Sequence, residues 1–294
     1  MKKNISAVFI CLLLFLNPSH LEVYGSALEE TDLSQVLLEE AELLQALLEE
    51  AELSQALLGE AELSENITSK EETKPTYYLA KGQAAENTFP DPSKPMIALT
   101  FDDGPGKYTP QILDLLKRYD VRASFCVVGY MIESHRDIIE KSAENGNEII
   151  GHSWSHTNLT KLSRSQIKDE IVDTNSLIES VTGSCPNFYR PPFGDVNDNV
   201  RKVSEELGAV ILYWSVDTRD WQSKDAQKVS EIILSEVKDG SVILCHDLYA
   251  STYEAMRTVI PELIERGYQF VTVSELINFN RGTAEAGKLY YGTQ

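Results

Sequence analysis

Met96-Ile97-Ala98-Leu99-Thr100-Phe101-Asp102-Asp103-Gly104-Pro105 is an apolar run that ends abruptly in two carboxylates and a turn. The first six residues have the composition of a buried strand, and Asp-Asp-Gly-Pro is a common way to leave one. Thr109-Pro110 then caps and starts a helix that extends to about Tyr119. The same alternation recurs downstream. Strands are expected at 124–128, 148–151, 187–189, 210–216, 242–245 and 270–273. Helices are expected near 135–144, from a Ser163-x-x-Gln166 capping box to just before Gly183, and near 198–207, 225–238 and 252–266. Regular strand–helix alternation implies a parallel sheet covered by helices. About seven strands in about 190 residues predict an α/β fold, a distorted, incomplete (β/α) barrel of about seven parallel strands with outer helices.

The residues before this region have a different character. Lys2 and Lys3, the apolar run 8–16, Asn17-Pro18 and the small residues Gly25-Ser26-Ala27 have the layout of a signal peptide over 1–27. The run is short for a bilayer. The expected product is therefore secreted or cell-wall associated, bacterial in type, with no stable membrane span after cleavage and a membrane anchor if the signal is retained. Residues 28–66 form four imperfect decapeptides holding twelve Asp or Glu and no Lys or Arg. Their Leu, Glu, Ala and Gln favour helix. Ten residues advance a helix by about 1000°, roughly 80° short of whole turns, so the leucine stripe creeps around the axis and disfavours a long two-stranded coil. An acidic helical or partly disordered spacer is expected, with an arm that binds an unknown partner as the sharper alternative. Residues 67–93 look like linker, 94–280 like a globular domain and 281–294 like a tail. The formal charge is −20, and no basic patch favours nucleic acid. Cys126, Cys185 and Cys245 are odd in number and contain no CxxC pair, so all three are expected to be small buried hydrophobes.

Five polar clusters close the expected strands: Thr100 to Pro105, His152-Ser153-Trp154-Ser155-His156, Arg190-Pro191-Pro192-Phe193-Gly194, Asp217-Thr218-Arg219-Asp220-Trp221, and Leu244-Cys245-His246-Asp247. In a parallel barrel the carboxyl ends of the strands converge, so these clusters would build one site. Their carboxylates, imidazoles and arginine are the equipment of a metal-assisted hydrolase. The four-residue spacing of His152 and His156 puts two imidazoles one helical turn apart, within reach of one ion. Strand alternation would point Asp102 and Asp103 in different directions, leaving one as ligand and one as base. His135, in a polar helix, is expected to be solvated.

In this order and at these separations, the five clusters resemble the polysaccharide deacetylase family, also called carbohydrate esterase family 4 or the NodB-homology domain, over about residues 94–276. The details look most like bacterial peptidoglycan N-acetylglucosamine deacetylases. The resemblance implies that 94–280 is a catalytic domain binding one divalent ion, Zn2+ first, with Co2+ or another ion possible, through Asp103, His152 and His156. It implies Asp102 as the general base and Arg190 as its partner. His246 is implied as the general acid, made more basic by Asp220. Phe193 would stabilise the oxyanion through its backbone N–H, and Trp221 and Leu244 would wall the acetyl methyl. The substrate implied is a cell-wall glycan, with chitin oligomers or acetylated xylan as alternatives. Two other readings stay open: an inactive glycan-binding relative, and an iron(II) oxygenase using the same ligand set. Cys245, between Leu244 and His246 on a strand, should face away from the site.

Overall fold

The computed structural model describes residues 90–293. The signal segment, the repeats and all but the last residues of the linker expected above lie outside the described residues. The chain runs β1 (Met96–Gly104), α1 (Thr109–Tyr119), β2 (Ser124–Val127), α2 (Gly129–Ile132), α3 (Arg136–Glu144), β3 (Glu148–Gly151) and α4 (Arg164–Thr182). It continues through β4 (Phe188–Tyr189), α5 (Asp198–Glu206), β5 (Val210–Leu212), β6 (Val216–Asp217), α6 (Asp220–Ser223) and α7 (Ala226–Glu236). The last elements are β7 (Ser241–His246), α8 (Ala250–Glu265), β8 (Gln269–Phe270), α9 (Val273–Arg281) and β9 (Leu289–Tyr290).

β1 is the axis of the sheet. Its odd-numbered residues Ile97, Leu99 and Phe101 face the helical layer, packing with Leu113 and Leu116 of α1 and with Met256 and Ile260 of α8. Ala98 faces the interior of the curl, and alternation sends Thr100 and Asp102 to the same side. β7 lies along one edge of β1 with Phe101 opposite Cys245 and Asp102 opposite His246. β2 lies along the other edge, Phe101 opposite Phe125, with their rings stacked at 5.2 Å. The order is β6-β7-β1-β2-β3-β4-β5-β9, every neighbour parallel, and β8 pairs with the first residues of β1. This is the expected curled, incomplete barrel with helices outside. The interior is filled, not hollow: Val273, Leu276 and Ile277 of α9 pack there with Met96, Ala98, Val242 and Val271.

The expectation of about seven strands gives way to nine among the described residues. Part of the difference is the run 210–216, which is not one strand. β5 pairs with β4 and β9, whereas β6 pairs with β7 at the other end of the order. Tyr213, Trp214 and Ser215 carry the chain across, with Tyr213 N–H donating to Tyr290 O at 2.7 Å and Ser215 N–H to Val242 O at 2.9 Å. The rest comes from the segment expected to be a tail, which supplies β9; beyond it Gly292 bridges Ser241 and Thr293 N–H reaches Gly240 O at 3.0 Å. The strand expected over 270–273 stops at Phe270, because Thr272 and Glu275 form a capping box that starts α9. Among the described residues no helix is long and apolar enough to cross a membrane.

The Ser163–Gln166 capping box is present at the start of α4, with the Ser163 hydroxyl accepting from Gln166 N–H. Ser163→Ala should lower the unfolding free energy by about 1 kcal/mol, read as a lower urea midpoint at unchanged slope. An unchanged midpoint would show that packing alone sets this helix.

Candidate active site

The two carboxylates at the end of β1 do not point in different directions as strand alternation would have them. Pairing with β2 slips between Asp102 and Gly104, and Asp103 adopts a left-handed backbone with φ 69°. A bulge of this kind re-aims a side chain. Asp103 Oδ1 then lies 3.2 Å from His152 Nε2 and 3.0 Å from His156 Nε2, while Asp102 Oδ2 lies 3.8 Å from the same His152 nitrogen. Behind the turn, the buried Asp247 carboxyl accepts from the Thr109 hydroxyl at 2.5 Å and fills the space a side chain at Gly104 would need. Burial pushes this carboxyl up to about 7.

His152 and His156 are not on a helix. His152 directly follows β3, and the next residues form a loop in which Ser153 (φ 61°) and His156 (φ 56°) are both left-handed. The Ser153 hydroxyl accepts from His156 N–H at 3.1 Å and closes this turn, so the rings come within 5.1 Å by loop geometry and not by helical pitch. The Nδ1 of His152 donates to the Arg190 carbonyl at 2.7 Å, which leaves the Nε2 lone pair aimed at Asp103. Two donors bound to one tetrahedral ion at zinc distances sit about 3.3 Å apart, close to the 3.2 and 3.0 Å found here. One ligand atom from each of Asp103, His152 and His156 lies within 4.8 Å of the others. Residues and geometry fit a divalent ion. Burial acts to raise the Asp103 carboxyl, but the two imidazoles set against it outweigh burial and hold the group well below the usual carboxylate range.

Arg190, fully buried, follows β4. Its Nη1 donates to Asp102 Oδ1 at 2.5 Å and to Thr100 Oγ1 at 2.8 Å, and its Nη2 to Tyr213 O at 3.0 Å. Oδ2 of Asp102 stays directed towards the ligand cluster. Phe193 sits in a short turn with φ 62°, 64% exposed, its ring edge-on to His156 at 4.9 Å. Opposite, Asp220 is the first residue of α6 and is fully buried. It accepts from His246 Nδ1 (2.7 Å), His246 N–H (2.7 Å), Thr252 Oγ1 (2.7 Å) and Trp221 N–H (2.8 Å). Burial alone would depress the His246 imidazole, yet Asp220, with Asp102 and Asp103 nearby, raises it to about 9. A cation beside Asp103 would pull it part of the way back. Its Nε2 faces the cluster, 3.9 Å from Asp103 Oδ2. Leu244 is buried and Trp221 is half exposed.

The structure thus brings together Asp102, Asp103, His152, His156, Arg190, Asp220 and His246, with the Phe193 ring against His156; Trp221 follows Asp220 and Leu244 lies opposite Thr100 on β7. Thr252 and Tyr213 were missed from sequence, and Thr100, though part of the first cluster, was given no role. Thr252 carries no local signal. Tyr213-Trp214 was hidden by its apparent place inside a strand. Cys245 faces the helical layer, as expected, and Cys126 lies in the interior. Cys185 is exposed, not buried, because it follows the end of α4 on the surface. His135 closes a short turn before α3, with Nδ1 2.9 Å from Met131 O, and lies apart from the site.

The sequence pattern of the family described as polysaccharide deacetylase matches residues 90–212. A peptidoglycan-N-acetylglucosamine deacetylase of Listeria monocytogenes is 38% identical over 196 residues, 66% of this chain and 41% of its own length. A peptidoglycan-N-acetylmuramic acid deacetylase of Bacillus subtilis is 36% identical over 212 residues, 72% of this chain and 44% of its own. The chain therefore spans less than half the length of these two relatives. Among solved structures, a family 4 acetyl xylan esterase from Clostridium thermocellum in complex with cobalt superposes with a TM-score of 0.63 at 34% identity, covering 67% of this chain and 98% of that one.

In metal-stripped protein, the His246 imidazole should titrate near pH 9, followed by NMR. Asp220→Asn should bring that titration down towards the ordinary imidazole value. An unmoved midpoint would show that Asp220 is not what holds the proton.

Proposed function

Because the chain belongs to the polysaccharide deacetylase family, we propose that it is a secreted, metal-dependent N-deacetylase that hydrolyses acetamido groups of a cell-wall glycan and releases acetate. N-acetylglucosamine of peptidoglycan is the substrate we assign. The observation that carries this reading is the pairing of two separate proton-transfer groups across one ligand cluster. Asp102 with Arg190 stands on one side and His246 with Asp220 on the other. Export rests on the Lys2-Lys3 leader and its apolar run.

A divalent cation, Zn2+ first and Co2+ as an alternative, held by Asp103, His152 and His156 would polarise the acetyl carbonyl and acidify water. The chain's own residues do the rest. Arg190 occupies one oxygen of Asp102 and fixes its orientation, so the free Oδ2 takes the proton from the attacking water. The Phe193 N–H donates to the carbonyl oxygen as negative charge develops on it. His246, its Nδ1 engaged by Asp220, delivers a proton from Nε2 to the departing amine. Leu244 and Trp221 wall the acetyl methyl and limit water on that side.

Incubation with peptidoglycan, chitin oligomers and acetylated xylan in parallel tests the reading. Acetate should appear from peptidoglycan and stop on chelation. Asp102→Asn should keep its metal while losing turnover by about 10²- to 10⁴-fold. Acetate release at the unsubstituted rate would refute the role of Asp102, and none from any substrate would refute the function.

A further inference from the structure

Tyr213 links Arg190 to the turn that carries Phe193. Its backbone carbonyl accepts from Arg190 Nη2 at 3.0 Å, on the side of the base. Its side-chain hydroxyl donates to the carbonyl of Gly194, the residue after Phe193, across 19 positions of sequence. Within the turn there are two bonds between near neighbours, Gly194 N–H to Pro191 O at 3.1 Å and Asp195 N–H to Pro192 O at 3.3 Å, and just beyond it Asn158 Nδ2 donates to the Asp195 carboxylate at 2.5 Å. That turn is also unfavourable by itself. Phe193 has φ 62° and Gly194 φ 68°, and left-handed backbone at a non-glycine residue persists only where the surroundings impose it. Trp214 adds a steric wall. Its ring stacks on Tyr213 at 5.5 Å, and its edge lies so near Gly194 that a Cβ there would meet Cη2 at 2.8 Å. The Arg190 guanidinium lies 5.8 Å from the Trp214 ring centre.

We propose that Tyr213 is a positioning residue for the reaction: its hydroxyl clamps the Pro192–Gly194 turn so that the Phe193 N–H is aimed at the developing oxyanion, in register with the Asp102–Arg190 pair. The inference rests on the deacetylase reading above and on the oxyanion role assigned there to Phe193. The hydroxyl has no reach to substrate through this contact. Its effect is on where the N–H points, and such a donor acts only if it is already aimed when charge develops. An N–H that drifts by about 1 Å forfeits up to about 100-fold in rate. Ground-state binding of the glycan does not depend on that bond.

The test is Tyr213→Phe, which removes one oxygen and keeps the ring stack and the backbone contact with Arg190. With peptidoglycan fragments, kcat should fall about 10- to 100-fold while KM changes little. Affinity for a tetrahedral phosphonamidate mimic of the acetamide should fall by the same factor. Metal content and the urea midpoint should stay near those of the unsubstituted protein. Tyr213→Ala, which also loses the ring, should be no better than Tyr213→Phe in kcat. If Tyr213→Phe turns over within about twofold of the unsubstituted protein, or loses KM and kcat alike, the proposal is overturned. Absence of acetate from the unsubstituted protein would instead overturn the deacetylase reading itself, so the two failures are distinguishable.

Discussion

The guanidinium of Arg190 ties the site to the sheet. It is fully buried, and it bonds Asp102 and Thr100 on β1 and the Tyr213 carbonyl after β5, while its own carbonyl orients His152 after β3. An unpaired charge at that depth would be destabilising by several kcal/mol, about 3–5 when one partner of a buried pair is lost. The strands must therefore curl far enough for β1 and β5 to reach the same side chain, and the curl is what gathers Asp102, the Asp103–His152–His156 cluster and the Phe193 turn on one face. Fold and chemistry share this constraint.

The remaining geometry is achieved against local preference. Asp103, Ser153, His156, Phe193 and Arg219 are non-glycine residues with left-handed backbone; Asp103 stands at the bulged end of β1 and the other four in the loops after strands of the site. Each such conformation is disfavoured by about 1–3 kcal/mol. The stability that offsets them lies in the packed layers on either side of β1, far from the polar ends. A rigid sheet of this sort lets short loops hold positions that they would not hold alone.

Much of this was legible in the sequence because two signals agreed. Apolar runs of strand length alternate with capped helices, and the polar clusters sit at the downstream ends of those runs. That placed Asp102, His152, Arg190, Asp220 and His246 on one face before any coordinates. What was not legible depended on departures from regular geometry. The slip at Asp102–Gly104 brings neighbouring carboxylates together where alternation separates them. The loop after β3 replaces the helical turn that His-x-x-x-His suggested. The run 210–216 breaks because its ends belong to different edges of the sheet, a tertiary fact that hydrophobicity does not encode. β9 was invisible for the same reason: Leu289-Tyr290 is too short to announce a strand and is recruited by β5. The capping box at Thr272 and Glu275 was present in the sequence and passed over.

The central claim is that Asp103, His152 and His156 hold one divalent ion beside Asp102. Calorimetric titration of Zn2+ into chelator-stripped protein, run beside Asp103→Ala, addresses it most directly. One ion per chain in the unsubstituted protein, with that binding lost in Asp103→Ala, is the result the geometry requires. Equal binding in the two proteins, or none in either, would contradict it.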